Sequence, residues 1–247
     1  SGDDIHDVCQ RFVTTAMRAV DAGFDGVEIH AAHGYLLTQF LSPLTNQRKD
    51  EWGGSLENRA RLLLNIVSQI KARCPSDFLI MVKINSADFQ RGGFELSDAI
   101  TVIERLEALG VNVIEVSGGS YESPAMQRRN TDEQTLAREA YFLEFASRIA
   151  KATAIPVMTT GGIKRASVAQ RVIDKGCTLV GMASALAFTP DLVKKWQAES
   201  LFLIKFITQE NQGPGAARNH GLDHATGKLI LFIDSDCEAH PNWIQTI

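Results

Sequence analysis

Near the start of the chain, Glu28-Ile-His-Ala-Ala-His-Gly-Tyr35 closes an apolar run with two histidines three apart and a tyrosine two further on. Neutral imidazoles donate hydrogen bonds to a carbonyl or phenolate oxygen, and a nearby phenol can deliver a proton. His30, His33 and Tyr35 are therefore candidates for acid and hydrogen-bond chemistry. The same residues also read as turn histidines satisfied by backbone, and spacing alone does not choose between the two. A metal reading needs a third ligand, which the neighbouring sequence does not offer. Lys83 lies inside the apolar run Leu79–Ile84, where an ammonium requires a partner. That partner is either a strand acid, Glu28 or Glu115, or an anionic ligand at the strand ends.

Glycines stand at the ends of three further apolar runs. Gly118 follows Ser117, Gly161 and Gly162 lie in Thr159-Thr-Gly-Gly-Ile163, and Gly181 lies in Val180-Gly-Met182. Glycines at such ends let backbone N–H groups approach a phosphate. In the tail, Gly213-Pro-Gly-Ala-Ala-Arg-Asn-His-Gly221 starts like a dinucleotide fingerprint, but Arg218 stands where the third glycine belongs, so that reading is rejected. Asp234 and Asp236 end the run Leu229–Ile233. They read either as a site for a divalent metal and a diphosphate or as a solvated turn.

These residues have to be positioned by regular elements, and the pattern is strand then helix, repeated. The expected strands are Gly26–His30, Phe78–Ile84, Asn112–Ser117, Ile155–Thr160 and Thr178–Met182. Helices of 3.6-residue period lie between them, among them Asn58–Ala72 and Ser97–Leu109, with Ser55 and Ser97 as N-caps. Gly110 and Gly176 sit just past helix ends, where glycine accepts a left-handed conformation cheaply. Near-continuous apolar strands predict a parallel sheet covered on both faces, hence an α/β fold. Periodicity does not separate an open sheet from a barrel. The chemically suggestive residues nevertheless follow successive strand ends, which is the habit of a barrel mouth. Two long loops, Ser42–Ser55 and Gly118–Glu133, read as functional or disordered. After Trp196 the composition changes, and residues 198–247 read as a separate module.

The 247 residues carry 45% apolar and 22% charged residues and a net charge of −4. That balance is no electrostatic footprint for nucleic acid and argues against a membrane surface. No apolar run approaches the roughly 18 residues of a membrane span, and no secretory signal is visible. Cys9, Cys74, Cys177 and Cys237 form no CxxC pair, so zinc and iron–sulfur spacings are absent. They read as free thiols of a cytoplasmic protein.

Longer stretches bind these residues together. Ala22-Gly-Phe-Asp-Gly-Val-Glu-Ile-His30, Ala32-His-Gly-Tyr-Leu-Leu37, Gln39-Phe-Leu-Ser-Pro43, the Trp-Gly-Gly-Ser-Leu-Glu-Asn-Arg core within Asn46–Arg61, Ser86-Ala-Asp-Phe89, Glu115-Val-Ser-Gly-Gly119 and Thr160-Gly-Gly-Ile163 occur in order. Through them, residues 10–197 resemble the flavin-dependent Old Yellow Enzyme family of NAD(P)H:flavin oxidoreductases and ene-reductases. The resemblance implies an eight-stranded (β/α) barrel holding FMN, reduced by NAD(P)H. It implies that His30 and His33 bind the carbonyl of an α,β-unsaturated substrate and that Tyr35 supplies a proton to the adjacent carbon. Lys83 would stabilise negative charge on the flavin ring, and Gly161, Gly162 and Gly181 would face the FMN phosphate, with Gly118 on the cofactor side. The family's first three strand–helix units do not appear. Ser184 stands near the place of an arginine that contacts the phosphate, which weakens the expected FMN binding.

The tail stretches Glu210–Gly221, Ala225-Thr-Gly-Lys228 and Leu231–Asp236 resemble the middle of a GT-A family 2 glycosyltransferase. The expected architecture is thus a partial TIM-type (β/α) barrel of five family strands over residues 1–197. A βαβ fragment over 198–247 adds two strands, Leu201–Thr208 and Leu229–Ile233, beside the last family strand. An FMN-dependent NAD(P)H oxidoreductase, impaired by an incomplete site, is the first functional expectation. A non-catalytic recombined or engineered chimera is the second, and nucleotide-sugar or metal binding through Asp234 and Asp236 is the third. The expected partner is a small unsaturated carbonyl compound, with self-association through an open sheet edge.

Overall fold

The strand–helix repeat read from the sequence is the architecture of the chain. A computed structural model describes residues 2–119, 140–198 and 231–232. Its elements, in chain order, are α1 (Gly2–Asp21), β1 (Gly26–Ala31), α2 (Leu36–Leu41), α3 (Leu56–Arg73), β2 (Leu79–Asn85), α4 (Leu96–Ala108), β3 (Val113–Ser117), α5 (Leu143–Ala150), β4 (Val157–Thr159), α6 (Ala166–Asp174), β5 (Leu179–Gly181), α7 (Ser184–Phe188), α8 (Leu192–Ala198) and β6 (Leu231–Phe232).

The six described strands form one sheet in the order β1-β2-β3-β4-β5-β6, and every neighbouring pair is parallel. Spatial order therefore equals chain order. A doubly wound sheet reverses direction at its switch point. This sheet never does, and that is the winding of a (β/α) barrel. β6 comes from the tail and pairs Leu231 with Val180 and Phe232 with Gly181. The other expected tail strand, Leu201–Thr208, lies outside the described residues, as do Asp234, Asp236, Cys237 and nearly all of the Gly118–Glu133 loop.

Alternation along the strands separates two faces. Ile29, Val82, Ile114 and Val157 lie in one register row, all buried. That row faces the helices: Ile29 shares a cleft of about 310 Å³ with Phe12 and Ala16 of α1 and Ile70 of α3. The opposite face carries the row His30, Lys83, Glu115, Met158 and Leu179 across five strands. The helix-side cleft therefore lies on the wrong face of the sheet to serve those side chains.

The expected element ends need small corrections. β4 is shorter than Ile155–Thr160 because Pro156 has no N–H to give the ladder, although its carbonyl accepts from the Ile114 N–H at 3.0 Å. Ser97 is not a cap. Leu96 is buried and opens α4, so extended Glu95 takes the cap position without a side-chain bond. Ser55 does cap α3, its hydroxyl accepting from the Asn58 N–H at 3.3 Å. Gly110 and Gly176 have φ of 76° and 98°. At Gly110 the N–H donates to Glu107 O and that of Val111 to Leu106 O; Gly176 and Cys177 repeat the pattern onto Ile173 O and Val172 O. These paired bonds satisfy the last helical carbonyls and turn the chain straight into β3 and β5.

The Ser42–Ser55 loop is a brace. Buried Asn46 donates from Nδ2 to Phe40 O and Trp52 O, both at 2.8 Å, and its Oδ1 accepts from the Arg48 N–H. Trp52 is buried with its ring edge-on to His6 of α1, 5.6 Å between centroids. Asn46→Ala leaves the buried Trp52 carbonyl and the part-buried Phe40 carbonyl short of a donor and is expected to cost about 1–3 kcal/mol, measured by urea unfolding.

No helix among the described residues is long and apolar enough to cross a membrane. Cys9 and Cys177 are buried free thiols, and Cys74 is half-buried. Burial pushes the Cys177 thiol up to about 12, and since the thiolate is the reactive form, it stays inert at neutral pH. Peptide-level mass spectrometry after native alkylation should find Cys74 modified well before Cys177.

Candidate functional site

The inner face of the sheet holds the polar residues. Asn85 and Ser117 are register partners two residues beyond Lys83 and Glu115, so alternation puts all four on one side with His30. Each of the four is buried. The Lys83 ammonium lies 3.0 Å from Glu115 Oε1, with side chains only 4% and 6% exposed. Of the two acids the sequence offered, register selects Glu115. Glu28 is opposite Met81 and exposed.

β1 ends in a β-turn over Ala32-His33-Gly34-Tyr35, closed by the Tyr35 N–H donating to Ala32 O at 3.3 Å. His33 and Gly34 have φ of 61° and 79°, the double left-handed pattern of a type I′ turn. This turn reverses the chain into α2 and brings the three predicted residues together. The His30 and His33 rings meet edge-to-face at 5.0 Å between centroids, and His30 meets Tyr35 at 4.9 Å. Tyr35 is 47% exposed and faces the mouth.

Hydrogen bonds orient the rings. His30 Nδ1 accepts from the Ala32 N–H at 3.2 Å, so neutral His30 carries its proton on Nε2. The His33 N–H donates to Asn85 Oδ1 at 3.1 Å, and His33 Nε2 lies 2.6 Å from Ser117 Oγ. Asn85 Nδ2 donates to Gly119 O at 2.8 Å and to Asp88 Oδ1 at 3.4 Å. Asp88 in turn accepts the Phe94 N–H on Oδ2, pinning the Ser86–Phe94 loop whose Phe89 has a left-handed φ of 56°. Asn85 was not singled out from the sequence. Its position two residues after Lys83 in an apolar strand is the signal that would have found it.

The glycines divide. Gly161 and Gly162 are successively left-handed, with φ of 102° and 74°, at the end of β4. They place free-turning backbone beside Lys164 and Arg165, two cations that the sequence reading passed over. Gly118 and Gly181 have a different reason to be glycine. A Cβ on Gly118 would lie 2.6 Å from the Phe89 ring and 2.8 Å from that of Phe142, and one on Gly181 would lie 3.0 Å from Thr160 Cβ. Protein side chains fill both spaces. Ser184 is exposed at the first residue of α7. Among the described residues, no three His, Cys, Asp or Glu side chains gather as a metal site would require.

Comparison with known proteins gives this geometry a family. The model of the NADH:flavin oxidoreductase / NADH oxidase family matches residues 1–200, and that of glycosyl transferase family 2 matches residues 187–247. An NADH-dependent flavin oxidoreductase, iliE, of Hypocrea jecorina is 39% identical over 197 residues, covering 77% of this chain and 49% of the relative. The NADH oxidase of Thermoanaerobacter brockii is 37% identical over 195 residues, covering 78% of this chain and 29% of the relative. Among solved structures, histamine dehydrogenase from Rhizobium sp. 4-9 superposes with a TM-score of 0.69 at 26% identity, over 81% of this chain and 29% of that one. The chain spans about half the length, or less, of these curated relatives. It belongs to the NADH:flavin oxidoreductase / NADH oxidase family, with a glycosyltransferase-like segment in its tail.

Proposed function

We propose that this member of the NADH:flavin oxidoreductase / NADH oxidase family contributes the FMN and substrate face of an NAD(P)H-dependent reductase of α,β-unsaturated carbonyl compounds. One observation carries the reading: His30, His33 and Tyr35 meet at the end of the polar row in which His30 adjoins the buried Lys83 and Glu115.

The residues suit FMN in two places. The buried Lys83 ammonium suits an electron-rich ring edge, and the Gly161-Gly162 turn suits a phosphate. At Gly118 and Gly181 a side chain would also collide with protein, Phe89 and Phe142 in one case and Thr160 in the other. When bound, the flavin supplies hydride chemistry fed by NAD(P)H. The chain's own residues do the rest. His30 offers Nε2–H to the carbonyl oxygen, so that negative charge gathering there meets a fixed donor. His33 stands beside it as the second donor. The Tyr35 phenol, exposed at the mouth, can give its proton to the carbon next to the carbonyl.

The Lys83–Glu115 pair also favours a second reading, a folded chain without redox activity, because the buried ammonium already has a carboxylate of the chain at 3.0 Å. The assay that separates the two supplies the purified chain with FMN, NADH or NADPH, and cyclohexenone. Oxidation of NAD(P)H that depends on the enone supports the reductase. A chain that retains FMN and oxidises none with enone present overturns it.

A further inference from the structure

We propose that Ser117 is a positioning residue for His33. Its hydroxyl donates to Nε2 and so fixes the ring proton on Nδ1, while Asn85 holds the His33 backbone. His30 and His33 are then neutral imidazoles of opposite tautomer.

The contact between Ser117 Oγ and His33 Nε2 is 2.6 Å, a hydrogen bond whose donor is set by the ring tautomer. With the hydroxyl as donor, Nε2 accepts and Nδ1 keeps the proton that would serve a carbonyl oxygen. His30 shows the reverse, because the Ala32 N–H occupies its Nδ1 lone pair. Ser117 is fully buried at the end of β3, and its carbonyl accepts the Ser86 N–H at 2.7 Å, so the hydroxyl is held on a fixed strand end. Asn85, its register partner, accepts from the His33 N–H and donates to Gly119 O. Backbone and ring of His33 are thus tied to two adjacent strand ends, which sustains its left-handed φ of 61°. The arrangement rests on the proposed reductase in one respect only: there, a fixed N–H on each ring is what a carbonyl oxygen requires.

The test needs neither flavin nor substrate. Histidine rings are isotope-labelled in the full chain and their nitrogen–proton NMR correlations recorded at neutral pH, with His30→Gln and His33→Gln giving the assignments. His33 should show a protonated Nδ1 and an acceptor Nε2, and His30 the opposite. In Ser117→Ala the His33 pattern should collapse to an exchange-averaged or reversed one while His30 is unchanged. Ser117→Thr should restore it. A protonated Nε2 on His33 in the unmodified chain, or a His33 pattern indifferent to Ser117→Ala, overturns the proposal. The unmodified chain alone decides the tautomer, so the test survives a variant that fails to fold. An inactive chain with the expected tautomers would sink the reductase and leave this inference standing.

Discussion

Glu115→Leu should destabilise the protein by about 3–5 kcal/mol, the usual cost of removing one partner from a buried ion pair. The Lys83 ammonium would stay in a layer where its row neighbours beyond Glu115 are Met158 and Leu179, both buried, having lost the carboxylate at 3.0 Å. Lys83→Met should cost a similar amount by stranding the carboxylate. The double variant should recover most of the loss, because apolar side chains of similar volume fill a buried pair's place well. Urea unfolding of the four chains closes a double-mutant cycle. Near-additive losses would mean that the two charges do not depend on each other, and the inner row would lose its central feature.

His30→Ala should lower kcat/KM for enone reduction by roughly 10²–10³-fold, the scale set by removing one donor to a developing oxyanion. The fold should tolerate the change. His30 is only half-buried, and the contacts it loses include the His33 and Tyr35 rings and the Ala32 N–H on its Nδ1. Flavin retention should match that of the unmodified chain, while stability falls by no more than about 1–3 kcal/mol for the orphaned Ala32 N–H. A variant with unchanged turnover would remove His30 from the proposed reaction.

Much of this was legible along the chain because it is local. Five strands announced themselves as apolar runs bounded by glycine and helix, and Gly110 and Gly176 ended helices for the reason expected. The His-Ala-Ala-His-Gly-Tyr stretch brings its own turn, so its three functional candidates meet within one loop. What stayed hidden depends on pairing between distant segments. Only strand register makes Glu115, not Glu28, the partner of Lys83. Only the packing of Phe89 and Phe142 across Gly118 shows that this glycine makes room for rings. Asn85 looked like an ordinary strand end until the turn after β1 placed the His33 N–H on it. The Ser42–Ser55 loop, read as functional or disordered, proves to be an ordered brace because Asn46 ties it to the Phe40 and Trp52 carbonyls and Trp52 packs on His6 of the distant α1.

The central claim is that these strand ends still form a flavin site, and a visible absorption spectrum tests it most directly. The purified chain is mixed with FMN, desalted and scanned. The account predicts a flavin band that survives desalting and weakens in Lys83→Met/Glu115→Leu, which keeps the fold while removing the cation. A cooperatively folded chain that emerges colourless would contradict it.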